Sequence, residues 1–148
     1  MLAAGHFQDT IDPPSKFDVV IFIVESRLGP PMPERTQVRE YRGMDGRTPV
    51  TGTEWEYEDA LAAKRERGVP DILVYRSRRK VELNTWDVQN RQAALNQMEA
   101  VDMFCSRVLA DGDTSPSGCT TFNTLEDFAN KLQSDLRRCL ERRFRTTD

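Results

Sequence analysis

The chain has 148 residues, of which 38% are hydrophobic and 30% are charged, the balance of one globular domain rather than of a disordered chain. The formal net charge of −3 excludes a strongly basic surface, so nucleic acid is not an expected partner. The first residues lack a signal-peptide pattern, and the longest apolar run, Val19 to Val24, is too short to cross a bilayer. We therefore predict a single cytoplasmic domain over residues 1–148, with no membrane partner.

Cysteine and histidine usage removes several classes of site. The three cysteines, Cys105, Cys119 and Cys139, are odd in number and widely spaced, which indicates reduced thiols rather than a disulfide framework. The single histidine, His6, leaves no Cys/His cluster for zinc and no serine or cysteine triad. The sequence therefore predicts no metal site.

The first predicted element is a strand over Asp18 to Val24. This run of β-branched and aromatic residues lacks alternation, which is typical of a central strand buried on both faces of a parallel sheet. A long connection, Glu25 to Gly52, follows; it is rich in Gly and Pro and has no periodicity. Connections of this length within a compact domain tend to be functional or mobile.

A helix is predicted next, over Thr53 to Arg67. Thr53 and Glu56 have the spacing of a capping box, and Gly68 followed by Pro70 is a strong stop signal. A second strand is then predicted over Asp71 to Arg76. Strand, helix and strand form a crossover unit that places the two strands side by side and parallel.

Two further helices are predicted over Asp87 to Leu109 and Thr124 to Phe144. Between them, the turn-rich stretch from Asp111 to Gly118 is interpreted as a plain linker. The apolar residues of the first helix have mostly helical spacing: Val88, Leu95, Met98, Val101, Phe104, Cys105 and Val108. Those of the second are predicted to form one stripe: Leu125, Phe128, Leu132, Leu136 and Leu140.

Several short runs carry a family pattern. They are Phe7-Gln8 with Ile11, Pro14-Ser15, Asp18 to Ile21, Ser26 to Gly29 with Pro31 and Pro33, Asp45-Gly46, Gly52 to Leu61 and Gly68 to Arg76. Weaker matches are Leu95, Gln97, Phe104, Phe122, Phe128, Leu132 and Leu136. Together these runs resemble the TIR-like domain of unknown function that precedes STAND- or NACHT-type signalling NTPases in bacteria, often with β-propeller repeats behind.

The resemblance implies a three-layer α/β fold with a flavodoxin- or TIR-like parallel sheet flanked by helices. It also implies that the domain is N-terminally incomplete, because such domains open with a strand and a helix ahead of the segment matching Phe7. The leading functional expectation is a signalling or effector module that acts by self-association or by docking to a STAND-type NTPase or repeat module. A sheet that lacks its opening strand and helix exposes an apolar face, which favours self-association.

Polar residues at the carboxyl ends of the predicted strands suggest a ligand site, because ligands of open parallel sheets bind there. The residues expected to hold a nucleotide, such as NAD as a substrate, are Ser26, Arg27, Gly29, Thr53 and Arg76. Backbone N–H groups at the helix start near Thr53 are a further phosphate-binding feature. Ion pairing at the surface is the alternative reading of both arginines.

The stretch from Gly52 to Ala60 is similar to the catalytic helix of nucleoside deoxyribosyltransferases, and TIR NADases place a glutamate on a comparable helix. The alternative function is therefore N-glycosidic bond cleavage with Glu56 as nucleophile or stabiliser. Capping of the helix is the competing role for Glu56, and Glu54 and Glu58 are the other acids on this helix.

Two remaining features have structural explanations. Trp55 and Tyr57 are expected to pack in the core or at its rim rather than to stack on a base. Five arginines near the C-terminus resemble a nucleic-acid patch but are expected to be solvated and to complement the helix dipole: Arg137, Arg138, Arg142, Arg143 and Arg145.

Overall fold

The computed structural model describes residues 11–31, 51–80 and 87–145. Its strands and long helices are β1 (Val19–Val24), α1 (Gly52–Arg67), β2 (Asp71–Ser77), α2 (Val88–Asp111), β3 (Thr114–Phe122) and α3 (Leu125–Arg145). Outside the described residues lie His6, most of the long connection and several family-pattern residues: Phe7, Gln8, Pro33, Asp45 and Gly46. None of the helices in the described part is long and apolar enough to cross a membrane.

The chain divides into two compact units, which are described separately. The first unit contains α1 and a short 3₁₀ turn, Pro14–Lys16, and runs through residues up to Val20 and from Leu28 to Pro70. The second contains Ile21 to Arg27 and everything from Asp71 onward. All three described strands belong to one sheet.

The sheet has the order β1-β2-β3 with all strands parallel, and it is flanked by helices. This confirms the predicted three-layer α/β fold and the predicted parallel pairing of the first two strands. In β2, the four residues from Ile72 to Tyr75 are at most 2% exposed. Of the described strands, β2 is therefore the one that is buried on both faces, as expected for the central position.

β1 differs from its predicted role as a central strand. Phe22 and Val24 are buried, whereas Ile21 is 39% and Ile23 is 58% exposed. The prediction of two buried faces was wrong because β1 lies at the edge of the described sheet and its second face has little cover. Continuous apolar sequence therefore identified the strand but not its place in the sheet.

The predicted linker from Asp111 to Gly118 was also wrong, because a third strand begins at Thr114. The hydroxyl of Thr114 accepts a hydrogen bond from the backbone N–H of Gly118 at 2.6 Å, which holds an irregular turn within β3. Regular pairing follows, with Val74 opposite Cys119 and Ser77 opposite Phe122. Pro and Gly in the first half of β3 hid it from periodicity analysis.

The start of α1 corrects the predicted capping box. The helix begins at Gly52, and the Thr51 hydroxyl accepts a hydrogen bond from the Glu54 backbone N–H at 3.2 Å. The Glu54 carboxylate accepts from the Thr51 N–H in return at 3.1 Å. The box is therefore formed by Thr51 and Glu54, two residues before the predicted pair. The end of the helix is as expected, with Gly68 in the left-handed region at φ 78°.

Within the first unit, α1 packs against the 3₁₀ turn. The Asp59 carboxylate accepts a hydrogen bond from the Ser15 backbone N–H at 2.8 Å. Tyr57, Ala60 and Leu61 are fully buried. This confirms that Tyr57 packs in the core, while Trp55 is half-buried.

In the second unit, α2 and α3 lie on opposite faces of the sheet. Neighbouring β2 residues show this, because Arg76 pairs with Asp102 of α2 whereas Tyr75 donates a hydrogen bond to Asp135 of α3. α2 contacts β3, and its buried side chains are Val101, Phe104 and Val108.

The face of α3 that contacts β2 is unusually polar. The Tyr75 hydroxyl donates to the Asp135 carboxylate at 2.6 Å, and Arg138 pairs with the same carboxylate. Burial, followed by this hydrogen bond to Asp135, raises the pKa of Tyr75. The Phe128 ring meets the Tyr75 ring edge to face, with 5.2 Å between centroids.

The basic C-terminus forms part of the same contact. The buried Asp71 carboxylate accepts hydrogen bonds from Arg142 at 2.9 Å and Arg143 at 3.2 Å. Since Arg138 also pairs with a buried carboxylate, the expectation that these arginines are merely solvated was wrong for three of the five. The two buried carboxylates therefore offset part of the positive charge of these arginines.

The predicted apolar stripe of α3 is split between two faces. Phe128 packs against Tyr75 and Phe122, but Leu125 is 82% and Leu140 is 50% exposed. The fully buried positions of the helix are Asp135 and Cys139. The prediction of a single apolar stripe was therefore wrong, because the inward face of α3 contacts the sheet partly through polar side chains.

Candidate functional site

Polar side chains follow β1 and β2 where the two strands end. The Glu25 carboxylate accepts a hydrogen bond from the Ser77 hydroxyl at 3.0 Å. It also accepts two from the Arg79 guanidinium, from Nε at 3.0 Å and Nη2 at 3.1 Å. Such bidentate pairing fixes the orientation of both groups. The segments that leave β1 and β2 are thereby tied together at the carboxyl edge of the sheet.

Two adjoining cavities open at this edge. The first, of about 370 Å³, lies above the end of β2 and is lined by Glu25, Ser26, Arg76, Arg78, Arg79 and Asp102, among others. The second, of about 350 Å³, lies between the end of β1 and the first turns of α2, with Ser26, Arg27, Asn90, Gln97 and Met98 in its wall. Ser26 and Met98 line both. We call the two together the edge cavity.

The charges of the edge cavity are unequal. Asp102 is paired with Arg76 at 2.5 Å and Glu25 with Arg79, so both carboxylates are neutralised. Arg27 and Arg78 form no ion pair with the described residues. The remaining charge is therefore positive, and a ligand with a phosphate or carboxylate is the chemistry that this edge favours.

The five predicted nucleotide-binding residues fall into two groups. Ser26, Arg27 and Arg76 all line the edge cavity in the second unit. Gly29 and Thr53 lie in the first unit, where Gly29 has φ 99° and the Thr53 hydroxyl donates a long 3.5 Å hydrogen bond to the Leu28 carbonyl.

The start of α1 is a poor phosphate site. The Glu54 carboxylate is bonded to the Thr51 N–H and hydroxyl, so a negative charge already occupies the N-terminus of the helix. An approaching phosphate would meet that charge.

Glu56, the predicted catalytic residue, lies on α1 in the first unit and is half-buried. Because the capping box uses Thr51 and Glu54, capping does not explain why a glutamate stands at position 56. Glu58 is buried, with 4% exposure. A catalytic role for Glu56 therefore remains a prediction.

A second surface feature lies on α3, on the face turned away from the polar contact with β2. Leu136, Leu140 and Phe144 stand one turn apart along one side of a groove of about 650 Å³. Leu140 is 50% and Phe144 is 72% exposed. We call this surface the outer groove.

A charged row runs beside the apolar one in the outer groove. Arg137, Glu141 and Arg145 follow each other at intervals of four residues and line the same groove. Residues spaced in this way share one face of a helix. One acid between two bases, beside three apolar side chains, is an arrangement that can complement itself.

The described residues contain no group of three or more His, Cys, Asp or Glu side chains placed to hold a metal ion. The sequence matches no protein-family model, no curated protein and no solved structure.

Sequence reasoning identified Ser26, Arg27 and Arg76 as binding residues at the sheet edge but did not predict the pairing of Glu25 with Arg79. The outer groove could have been found from the spacing of Leu136, Leu140 and Phe144, which recur every four residues.

Proposed function

We propose that this chain is a TIR-like interaction module that acts by self-association, and that the outer groove of α3 pairs with the same groove of a second copy. One observation carries the proposal: the apolar row of the groove is exposed beside a charged row with alternating signs. An exposed apolar row of this kind marks an interaction surface.

The charge pattern favours a second copy over an unrelated partner. In an antiparallel pair of α3 helices related by two-fold symmetry, Arg137 of one copy stands opposite Glu141 of the other, and the contact occurs twice. The apolar row then lies at the centre of the pair with the ion pairs at its rim. The small net charge of −3 opposes such pairing only weakly.

The test is the oligomeric state of the full chain, measured by sedimentation velocity from low to high micromolar concentration. Leu140→Glu places a charge in the apolar row and is expected to weaken association roughly tenfold or more, about 1.4 kcal/mol. Met103→Glu is the matched control, because Met103 is 67% exposed on α2 and lies outside the groove. A wild-type chain that remains monomeric throughout would refute the proposal.

A charge swap tests the register of the pair. Arg137→Glu and Glu141→Arg each place like charges opposite one another and should each weaken association. The double variant restores opposite charges and should recover most of the loss. If the double variant is weaker than both single variants, the helices do not pair in this register.

The position of the module in a larger system follows from the family resemblance. We expect self-association to be controlled by a STAND-type NTPase or repeat module, the partner class that accompanies such domains. The sheet-edge residues would then report on a nucleotide rather than hold a permanent cofactor.

A second candidate function is cleavage of the N-glycosidic bond of NAD or another nucleotide by Glu56. The observation that favours it is the capping box of Thr51 and Glu54, which leaves Glu56 without the capping role. A carboxylate suits this reaction because it stabilises or captures an oxocarbenium-like centre.

Nicotinamide release by concentrated protein tests this second function. Glu56→Gln should abolish release, whereas Glu54→Gln should retain it because glutamine also serves in a capping box. Both variants should melt within a few degrees of the wild type. Equal release by wild type and Glu56→Gln would remove Glu56 from the mechanism.

A further inference from the structure

Two of the three cysteines lie side by side between α2 and β3. Cys105 is half-buried on α2, one turn after both Asp102 and the fully buried Val101. Cys119 of β3 lies opposite Val74, and Thr121 lies opposite Arg76. Because side chains two residues apart on a strand share a face, Cys119 lies on the same face of the sheet as Arg76. Because Arg76 contacts Asp102, the strand surface at Cys119 and the helix surface at Cys105 face each other.

The thiols are close enough to interact and are open enough to react. Each thiol perturbs the pKa of the other, as expected for side chains that face each other across one contact. Both side chains are half-buried, in contrast to Cys139, which is 1% exposed. A small oxidant therefore has access to the pair but not to the third cysteine.

The surroundings give the two thiols different reactivity. The Cys119 thiol and the charge of Arg76 lower the pKa of Cys105, against the opposing effects of burial and of Asp102. The Cys105 sulfur, together with burial, raises the pKa of Cys119. A thiolate beside a protonated thiol is the arrangement of a nucleophile and a resolving partner.

The geometry points to a modification site: Cys105 is oxidised by hydroperoxides and is then joined to Cys119 in an intramolecular disulfide. This site is independent of the outer groove and of Glu56.

The chemistry balances in two steps. The Cys105 thiolate attacks one peroxide oxygen, the O–O bond breaks, and hydroxide leaves and takes up a proton to become water. Cys105 is then a sulfenic acid. The Cys119 sulfur next attacks the Cys105 sulfur, the S–O bond breaks, and the hydroxyl group leaves with the Cys119 proton as a second water. Overall, two thiols and one hydrogen peroxide give one disulfide and two waters.

Peptide mapping of the oxidised full chain is the primary test. The chain is treated with a pulse of hydrogen peroxide and then alkylated without denaturation. Its intact mass should be that of the reduced, unalkylated chain minus two hydrogen atoms. The map should contain a crosslink between the Cys105 and Cys119 peptides, with Cys139 alkylated only after denaturation. A crosslink to Cys139, or a crosslink that joins two copies, would overturn the proposal.

Single variants assign the two roles. Cys119→Ser should still form a sulfenic acid at Cys105 that dimedone traps, because the resolving thiol is gone. Cys105→Ser should lose both the crosslink and the trap, and Cys139→Ser, the matched control, should crosslink like the wild type. If dimedone is trapped at Cys119 in the Cys105→Ser variant, Cys105 is not the nucleophile and the proposed site is refuted. The wild-type crosslink itself needs no variant, so the proposal remains testable if one variant folds poorly.

Discussion

On the inward face of α3, polar side chains meet the sheet: Asp135 binds Tyr75, and Arg142 and Arg143 bind Asp71. On the outer face, Leu140 and neighbouring apolar residues are exposed. The usual amphipathic helix buries its apolar face and exposes its polar one. The reversal in α3 shows that intramolecular packing uses only part of the apolar sequence of this helix. It also separates a face that stabilises the fold from a face that carries exposed apolar side chains.

Removal of the ion pairs at Asp71, on the inward face of α3, is expected to lower stability more than any other change considered. Asp71→Ala leaves Arg142 and Arg143 without their carboxylate, and we expect a loss of about 2–3 kcal/mol, discounted because the arginines are partly exposed. Urea unfolding measures it as a lower midpoint with an unchanged slope.

Asp12→Ala is the control for Asp71→Ala. Its pair with Lys16 is exposed on both sides, so its removal should cost less than about 0.5 kcal/mol. If the two variants lose the same free energy of unfolding, the ion pairs at Asp71 do not stabilise the packing of α3 on the sheet. The proposed difference between the two faces of α3 would then be refuted.

The comparison also shows what the sequence could and could not predict. β1 and β2 were found because continuous β-branched runs and the Gly68–Pro70 stop are local signals. The position of β1 in the sheet was not predictable, because an edge strand and a central strand differ in their neighbours rather than in their own composition. β3 was missed because Thr114–Phe122 has few apolar residues of its own and is a strand through its pairing with β2.

The same reasoning applies to the sites. Ser26, Arg27 and Arg76 could be placed at one edge because parallel strands end together. The polar face of α3 could not be predicted, because Asp135 becomes a buried acceptor only when Tyr75 of a distant strand lies beside it. Likewise, the thiol pair depends on the register of β3, a strand that periodicity does not reveal.

The Tyr75 hydrogen bond should have an intermediate effect. Tyr75→Phe leaves the buried Asp135 carboxylate with one partner fewer, and we expect a loss of about 1–2 kcal/mol. Denaturant unfolding at neutral pH measures it. A loss no larger than that of Asp12→Ala would mean that this hydrogen bond contributes nothing to the inward face.

The pH dependence of the same variant gives a second measurement. Burial and Asp135 raise the pKa of Tyr75, so the folded state holds the neutral phenol. The resulting stability is fully present below the unfolded pKa of about 10 and is lost as the pH rises above it. The stability difference between wild type and Tyr75→Phe should therefore shrink with rising alkaline pH. A constant difference would show that the phenol titrates alike in both states.

The smallest expected effect comes from two adjacent residues of α3 that differ in burial. Cys139 is 1% exposed and Leu140 is 50% exposed, although leucine is the larger and more apolar side chain. Cys139→Ala should cost about 1 kcal/mol through lost packing, whereas Leu140→Ala should change the free energy of unfolding by less than about 0.5 kcal/mol. The measurement is made at low protein concentration, because the proposed self-association would add stability to the wild type by mass action. Raising the concentration should then widen the gap between wild type and Leu140→Ala while leaving the Cys139→Ala difference almost unchanged. A Leu140→Ala loss that exceeds the Cys139→Ala loss even in the dilute monomer would place Leu140 in the core and abolish the distinction between the two faces.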